Sequence, residues 1–123
     1  MSDAASDPRL RLRLVFGELA MLGPGKAQLL ELIRDRGSIS AAGRAMGMSY
    51  KRAWSLVEEM NAAFRTPLVS SSRGGVQGGG AALTEAGATV LGHYRAIEAA
   101  ALAAGAPHIA ALRGLLRDMS DGK

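Results

Sequence analysis

The chain has 123 residues, and 15 basic residues against 11 acidic ones give it a net charge of +4. With 48% hydrophobic and 21% charged residues, that length fits one globular domain with an appended helix rather than a disordered chain. Cysteine is absent, which excludes a disulfide scaffold and thiolate metal sites. The longest uncharged apolar stretch, Ala99 to Ala106, is far shorter than the ~20 residues of a membrane span. We therefore expect a cytoplasmic protein with no membrane partner.

The N-terminal third contains a leader, a strand and a helix. Residues 1–8 are small or acidic and are expected to form a disordered leader. Residues 9–16 alternate arginine with apolar residues, which predicts a strand with one buried face. Their arginines are either solvated charges that protect an edge strand or groups that contact phosphates. A helix is predicted from Lys26 to Arg36, with Gly37 as its C-terminal cap.

The next segment has the spacing of a helix-turn-helix. Ser40 is a candidate N-cap for a helix of about seven residues, and Gly47 ends that helix. Ser49 is the candidate N-cap of a longer helix that reaches about Phe64. Small residues from Ala41 to Ala45 would let the two helices approach closely.

The longer helix has one apolar and one polar side. Its apolar side predicts a core stripe that carries Tyr50, with Trp54 as its anchor. The polar side places Ser49, Lys51, Arg52 and Ser55 in the first two turns, and acids follow only in the third turn. A helix in the DNA major groove contacts bases with its N-terminal residues, where acids would be repelled by phosphate. This order of charges therefore indicates a DNA-reading helix.

A wing and a long helix are predicted after Pro67. Residues 68–72 and 81–84 read as two strands around a glycine-rich tip, and Thr84 is the N-cap of a helix that runs to about Ala104. A break at residues 105–107 is expected to precede a short last helix, from His108 to Met119. The long helix has an apolar stripe that either packs on its own core or pairs with a second copy, and we expect the pairing. The predicted dimerisation residues are Val90, Leu91, Tyr94, Ile97, Ala101 and Leu102.

Together these elements predict a mainly α protein with a small β wing (α+β), namely a winged helix-turn-helix with a long C-terminal dimerisation helix. The winged domain is expected over residues 9–83, the dimerisation helix over 84–104, and a short helix and tail over 105–123.

Two segments resemble a known family. They are the run Gly37 to Trp54, which contains Ser-Tyr-Lys-Arg-Ala-Trp and is followed by Glu59-Met60-Asn61, and the glycine-rich run Gly74 to Gly87. Both are similar to the N-terminal DNA-binding domain of the molybdate-responsive transcriptional regulators, the ModE family, whose winged helix is related to that of LysR-type regulators. The resemblance covers roughly residues 9–104. It implies a dimeric winged helix on operator DNA, in which the helix after the wing takes part in dimerisation.

The resemblance and the distribution of basic residues together give a set of candidate DNA contacts. Between Arg44 and Arg73 there are five basic residues against two acids, which supplies most of the net charge. The candidates lie in the two helices and the wing, and they are Ser38, Ser40, Arg44, Ser49, Tyr50, Lys51, Arg52, Ser55, Arg73, Gly74, Gly75 and Gln77. Full-length family members continue into molybdate-binding domains, and we expect a stand-alone form here, with no molybdate site, metal or cofactor.

The sequence leaves three classes of function to compare. The first is a sequence-specific DNA-binding regulator that acts as a homodimer on double-stranded DNA. The second is a dimeric winged-helix adaptor that binds proteins and not DNA. An enzyme is the weakest. His93 and His108 lie on helical segments with no nearby Ser-Asp or Cys partner, and Glu58 and Glu59 are adjacent on a helix and point in different directions.

Overall fold

The computed structural model describes residues 8–72 and 80–117. Its strands and helices, in chain order, are β1 (Leu14–Phe16), β2 (Ala20–Leu22), α1 (Pro24–Arg36), α2 (Ile39–Ala45), α3 (Tyr50–Ala63), β3 (Val69–Ser72), β4 (Gly80–Leu83) and α4 (Glu85–Leu115). Of the described residues, the ones between 11 and 95 form one compact unit, and residues 8–10 with 96–117 belong to a second. A mainly helical winged helix-turn-helix followed by a long helix is therefore confirmed. Within the described residues, no helix is both long and apolar enough to cross a membrane.

The predicted N-terminal strand is a short hairpin. Pairing begins only at Leu14, which lies opposite Leu22, and ends at Phe16, opposite Ala20. The strand predicted over residues 9–16 is confirmed only for its last three residues. Gly17, with a left-handed φ of 56°, turns the chain, and the partner strand β2 ends at Leu22 because α1 begins at Pro24, which leaves residues 9–13 without a paired strand. The alternation remains visible in the burial: Leu12 is half-buried and Arg13 is exposed.

Helix α1 follows the prediction closely. It begins two residues earlier, at Pro24, because proline is well tolerated in the first turn of a helix. It ends at Gly37, whose φ of 73° is left-handed and whose N–H donates to the Ile33 carbonyl at 2.8 Å. Its buried residues, Leu29, Leu30 and Ile33 among them, form the centre of the core.

Trp54 does not anchor the core of the unit of residues 11–95. Tyr94 is the largest fully buried side chain, at 1% exposure. Trp54 is only partly buried and Tyr50 is 55% exposed, so the predictions of Trp54 as the core anchor and of Tyr50 on the core stripe are wrong. The Trp54 indole N–H donates to the Tyr50 hydroxyl, and the rings meet edge to face with centroids 6.3 Å apart. Because the indole finds its polar partner at the surface, it stays at the edge of the core.

The wing is held to the helices by backbone hydrogen bonds. Strands β3 and β4 pair antiparallel, with Val69 opposite Leu83 and Ser72 opposite Gly80. The Ala81 N–H donates to the Gly37 carbonyl at 2.9 Å, which ties the wing to the C-terminal end of α1. The glycine-rich wing tip is predicted over residues 73–80; residues 73–79 lie outside the described residues, and Gly80 begins β4.

Asn61 connects α3 to the wing, and its replacement tests that connection. Its amide accepts from the N–H groups of Leu68 (2.8 Å) and Val69 (3.1 Å), and donates to the Val69 carbonyl (3.1 Å). Asn61→Ala is expected to lower the free energy of unfolding by about 2 kcal/mol, because partly buried backbone groups lose their partners. Asn61→Asp keeps both accepted hydrogen bonds, so its free energy of unfolding, measured by urea denaturation, should fall by less than that of Asn61→Ala. Equal losses for the two variants would contradict this.

Helix α4 is longer than predicted. Thr84 caps it as expected, since its hydroxyl accepts from the Gly87 N–H at 3.0 Å. The predicted break at residues 105–107 is wrong, because the helix continues through Pro107 to Leu115. Proline removes a single i→i−4 hydrogen bond, and alanine, the strongest helix former, is abundant on both sides of it.

Candidate nucleic-acid interface

Helices α2 and α3 approach each other at Gly43. A Cβ placed there would lie 2.9 Å from the Ala53 Cβ, so only glycine fits without displacement. The turn between the helices uses Gly47 at a φ of 73°, and the Met48 N–H donates to the Gly43 carbonyl at 2.9 Å. This sharp, hydrogen-bonded turn fixes α3 relative to α2, as a helix-turn-helix requires.

Serine side chains cap both helices, though not all as predicted. Ser38, and not Ser40, caps α2, because its hydroxyl accepts from the Ala41 N–H at 3.0 Å. Ser40 lies inside α2, and its hydroxyl accepts from Arg44 Nη1 at 2.7 Å. Ser49 caps α3 as predicted, by accepting from the Arg52 N–H at 3.0 Å. The prediction of Ser40 as the cap was wrong by two residues because both serines precede a run of small helix-compatible residues.

The N-terminal half of α3 presents free cations. Lys51 and Arg52 are exposed, and neither side chain has an ion pair or hydrogen bond with any residue in the described ranges. Ser55 is exposed one turn further along the helix. Glu59, in the third turn, lies 3.2 Å from the Lys26 amine, which offsets its charge. The exposed start of α3 is therefore positive and its acids lie further along the helix.

The candidate DNA contacts fall into two groups. Eight lie within the helix-turn-helix or its caps, and these are Ser38, Ser40, Arg44, Ser49, Tyr50, Lys51, Arg52 and Ser55. The remaining four, Arg73, Gly74, Gly75 and Gln77, lie outside the described residues.

The predicted dimerisation stripe divides between a buried and an exposed part. Leu91 and Tyr94 are 4% and 1% exposed within the core of their own unit, and Val90 packs against that core. Leu91 and Tyr94 are therefore not available for a dimer surface, because the first three turns of α4 cover the winged domain itself, whereas Val90 is only partly buried. Ile97 and Leu102 are 41% and 46% exposed, and Ala101 is half-buried.

One cationic side chain close to α3 is Arg13, which the sequence leaves as either a solvated charge or a phosphate contact and which is not in the set of candidate DNA contacts. Arg13 lines a groove of about 290 Å³ together with Arg52, Met48 and Leu56 of the helix-turn-helix region. The alternation of arginine with leucine before β1 is the signal that could have identified it, but nothing in the sequence places that segment beside α3.

The family comparison agrees with this geometry. Residues 25–88, more than half of the chain, match the family described as bacterial regulatory helix-turn-helix protein, lysR family. The chain belongs to this family. The matched segment includes α2, the turn and α3, so the helix-turn-helix of a DNA-binding regulator is the part of the chain that the family defines.

Curated relatives resemble the same part of the chain. The molybdenum-pterin-binding protein MopB of Rhodobacter capsulatus is 48% identical over 80 residues, 65% of this chain and 30% of its own. The molybdenum transport protein ModE of Azotobacter vinelandii is 42% identical over 77 residues, which cover 63% of this chain and 28% of that protein. The DNA-binding transcriptional dual regulator ModE of Escherichia coli K12 is 41% identical over 83 residues, which cover 68% of this chain and 32% of that regulator. The resemblance to ModE-type DNA-binding domains is confirmed, and the matches span less than a third of each relative's length.

Proposed function

We propose that this member of the lysR family is a sequence-specific DNA-binding transcriptional regulator that acts as a homodimer on inverted-repeat operators. The observation that carries the proposal is the exposed start of α3, where Lys51 and Arg52 have no ion-pair partner among the described residues. An unpaired guanidinium near the N-terminus of a recognition helix suits the two acceptors on the major-groove edge of guanine. The Ser49 hydroxyl at the start of α3, and Ser38, Ser40 and Arg44 of α2 and its cap, are proposed to donate to phosphates.

The proposed dimer uses the part of α4 that follows Arg95. At 100° per residue, Ile97, Leu102 and the apolar residues of the following turns fall within one face, and the remaining positions are mostly alanine. The large apolar side chains exposed on or next to this face are Ile97, Leu102, Leu112, Leu115 and Leu116. A second copy of the helix would bury all of them in one self-complementary contact. Two recognition helices held by one two-fold axis would require operator half-sites about one helical turn apart, or a multiple of it.

The proposal is tested first by DNA selection. The purified chain is mixed with a random-sequence library, the bound fragments are sequenced, and the best site is footprinted. We expect an inverted repeat whose binding weakens steeply as salt is raised, because phosphate neutralisation releases counterions. No enriched sequence, or an affinity that is insensitive to salt, would contradict the proposal and favour the protein-binding adaptor.

Arg52→Ala tests the assignment of the reading helix. We expect it to reduce the preference for the selected site over a mismatched site by about 1–3 kcal/mol for each half-site, the value of a bidentate arginine–guanine contact. Arg52→Lys keeps the charge but loses the planar fork, so it should lose most of that preference as well. Competition binding against the two sites measures both effects.

The control variant for Arg52→Ala is Arg73→Ala, in the predicted wing. It should weaken every sequence about equally, since it removes a phosphate contact and no base contact. If both variants weaken all sites in the same proportion, α3 does not read the bases through Arg52.

A further inference from the structure

The segment that precedes β1 is held in place by the core. The buried Tyr94 hydroxyl donates to the Leu12 carbonyl at 2.6 Å, and Tyr94 itself is 1% exposed. Two residues later Leu14 pairs with Leu22 in the hairpin. Arg13 lies between these two anchors, so its backbone position is fixed although its side chain is exposed.

The Arg13 side chain lies along Gly23, next to α3. A Cβ on Gly23 would be 3.2 Å from the Arg13 Cγ, so the absence of a side chain at residue 23 leaves space for the arginine stem. From there Arg13 lines the 290 Å³ groove whose other walls include Met48, Arg52 and Leu56. Arg13 and the proposed base-reading residue therefore border the same groove.

The charge of this groove is positive and uncompensated. Lys26 also lines it, but its amine donates to the Met21 carbonyl at 3.0 Å and pairs with Glu59, and its side chain is only 10% exposed. Arg13 and Arg52 are exposed, and across residues 8–72 and 80–117 neither guanidinium is paired with an acid. The groove has no acidic lining residue among the described ranges. Two unpaired guanidinium groups beside an apolar floor suit an anion that approaches from outside.

The groove and the wing lie at opposite ends of α1. Gly23 directly precedes this helix, while Gly37, which accepts the wing's hydrogen bond from Ala81, directly follows it. A helix of 13 residues is about 20 Å long. The major groove of B-DNA is about 12 Å wide and has a phosphate backbone on either side. Because the length of α1 exceeds that width, a cation at the end of α1 away from strands β3 and β4 can face a different backbone from the one beside those strands.

We propose that Arg13 binds a DNA backbone phosphate beside α3, at the end of α1 away from the wing. This inference rests on the proposed DNA binding and adds a contact outside the residues that the family match covers. Because the contact is to phosphate, Arg13 should contribute to affinity and salt dependence and leave the sequence preference unchanged.

The test measures affinity against salt concentration for the wild type and Arg13→Ala on the selected operator and on an unrelated duplex. The plot of log K against log salt should become shallower by about 0.9 for each subunit, hence by about 1.8 for a bound dimer. Affinity should fall severalfold on both duplexes, with their ratio unchanged. Arg13→Lys should restore most of the slope, because a phosphate requires only a positive charge.

The matched control is Arg34→Ala, which removes one exposed charge from the same unit at a guanidinium already bonded to Asp35 (Nε to Oδ1, 2.9 Å). It should leave the slope unchanged, and thermal unfolding checks that every variant is folded. An unchanged slope for Arg13→Ala, or a changed sequence preference without a change in slope, would overturn the inference. A wild type that binds no DNA would instead overturn the proposed function.

Discussion

Replacing Ile97 with glutamate is expected to abolish the proposed dimer and to weaken operator binding by about 10²–10⁴-fold, the gain that two linked sites provide. Ile97 is 41% exposed on the apolar face of α4, and in a two-fold contact each subunit would carry the new carboxylate into the interface. A charge without a partner in an apolar interface is strongly destabilising. Sedimentation of the wild type and the variant at micromolar concentration, followed by operator titration, measures both losses.

The control for Ile97→Glu is Ala103→Glu. Residue 103 is six positions further along α4, which places it 240° around the helix from Ile97, away from the large apolar side chains. This variant adds the same charge to the same helix and should still dimerise. A wild-type monomer, or an Ile97→Glu chain that dimerises and binds normally, would refute the arrangement. The winged domain should remain folded in both variants, because its core includes Leu91 and Tyr94 and not Ile97.

Replacing Gly87 with alanine is expected to destabilise the winged domain by about 3 kcal/mol, near the upper end of the usual cost of overpacking. Gly87 is buried in the first turn of α4. A Cβ there would overlap the Leu68 carbonyl oxygen and lie 3.1 Å from the Leu68 carbonyl carbon. Both atoms are backbone, so either the segment between α3 and β3 or the start of α4 would have to move. The melting temperature should fall by about 10–20 °C in calorimetry.

Gly92→Ala is the matched control for Gly87→Ala. It is the same change in the same helix, but nothing among the described residues lies within 4 Å of a Cβ at this position. Alanine is favoured over glycine in a helix by up to about 1 kcal/mol, so this variant should be slightly more stable than the wild type. A Gly87→Ala protein as stable as Gly92→Ala would show that α4 does not pack on Leu68 as described.

The local elements were largely predictable because their signals are local. Gly37 and Gly47 have the left-handed backbone that glycine supplies, and Ser49 and Thr84 cap the helices that follow them. The charge order along α3 depends only on helical periodicity, which is why the amino-acid sequence alone predicts the candidate reading face. The error at Ser40 also lies within a local signal, since Ser38, two residues earlier, is the serine whose hydroxyl accepts the capping hydrogen bond.

The sequence by itself determined the helix-turn-helix, the wing strands and the basic start of α3, because capping, turn chemistry and periodicity act within a few residues. Only the tertiary structure decided which apolar faces are core. It buries Leu91 and Tyr94 under their own domain and leaves Ile97 exposed, although all three continue one helical stripe. It also brings Arg13 beside Arg52, although 39 positions separate them in the sequence. Such placements depend on contacts between distant segments, which no local pattern in the chain encodes.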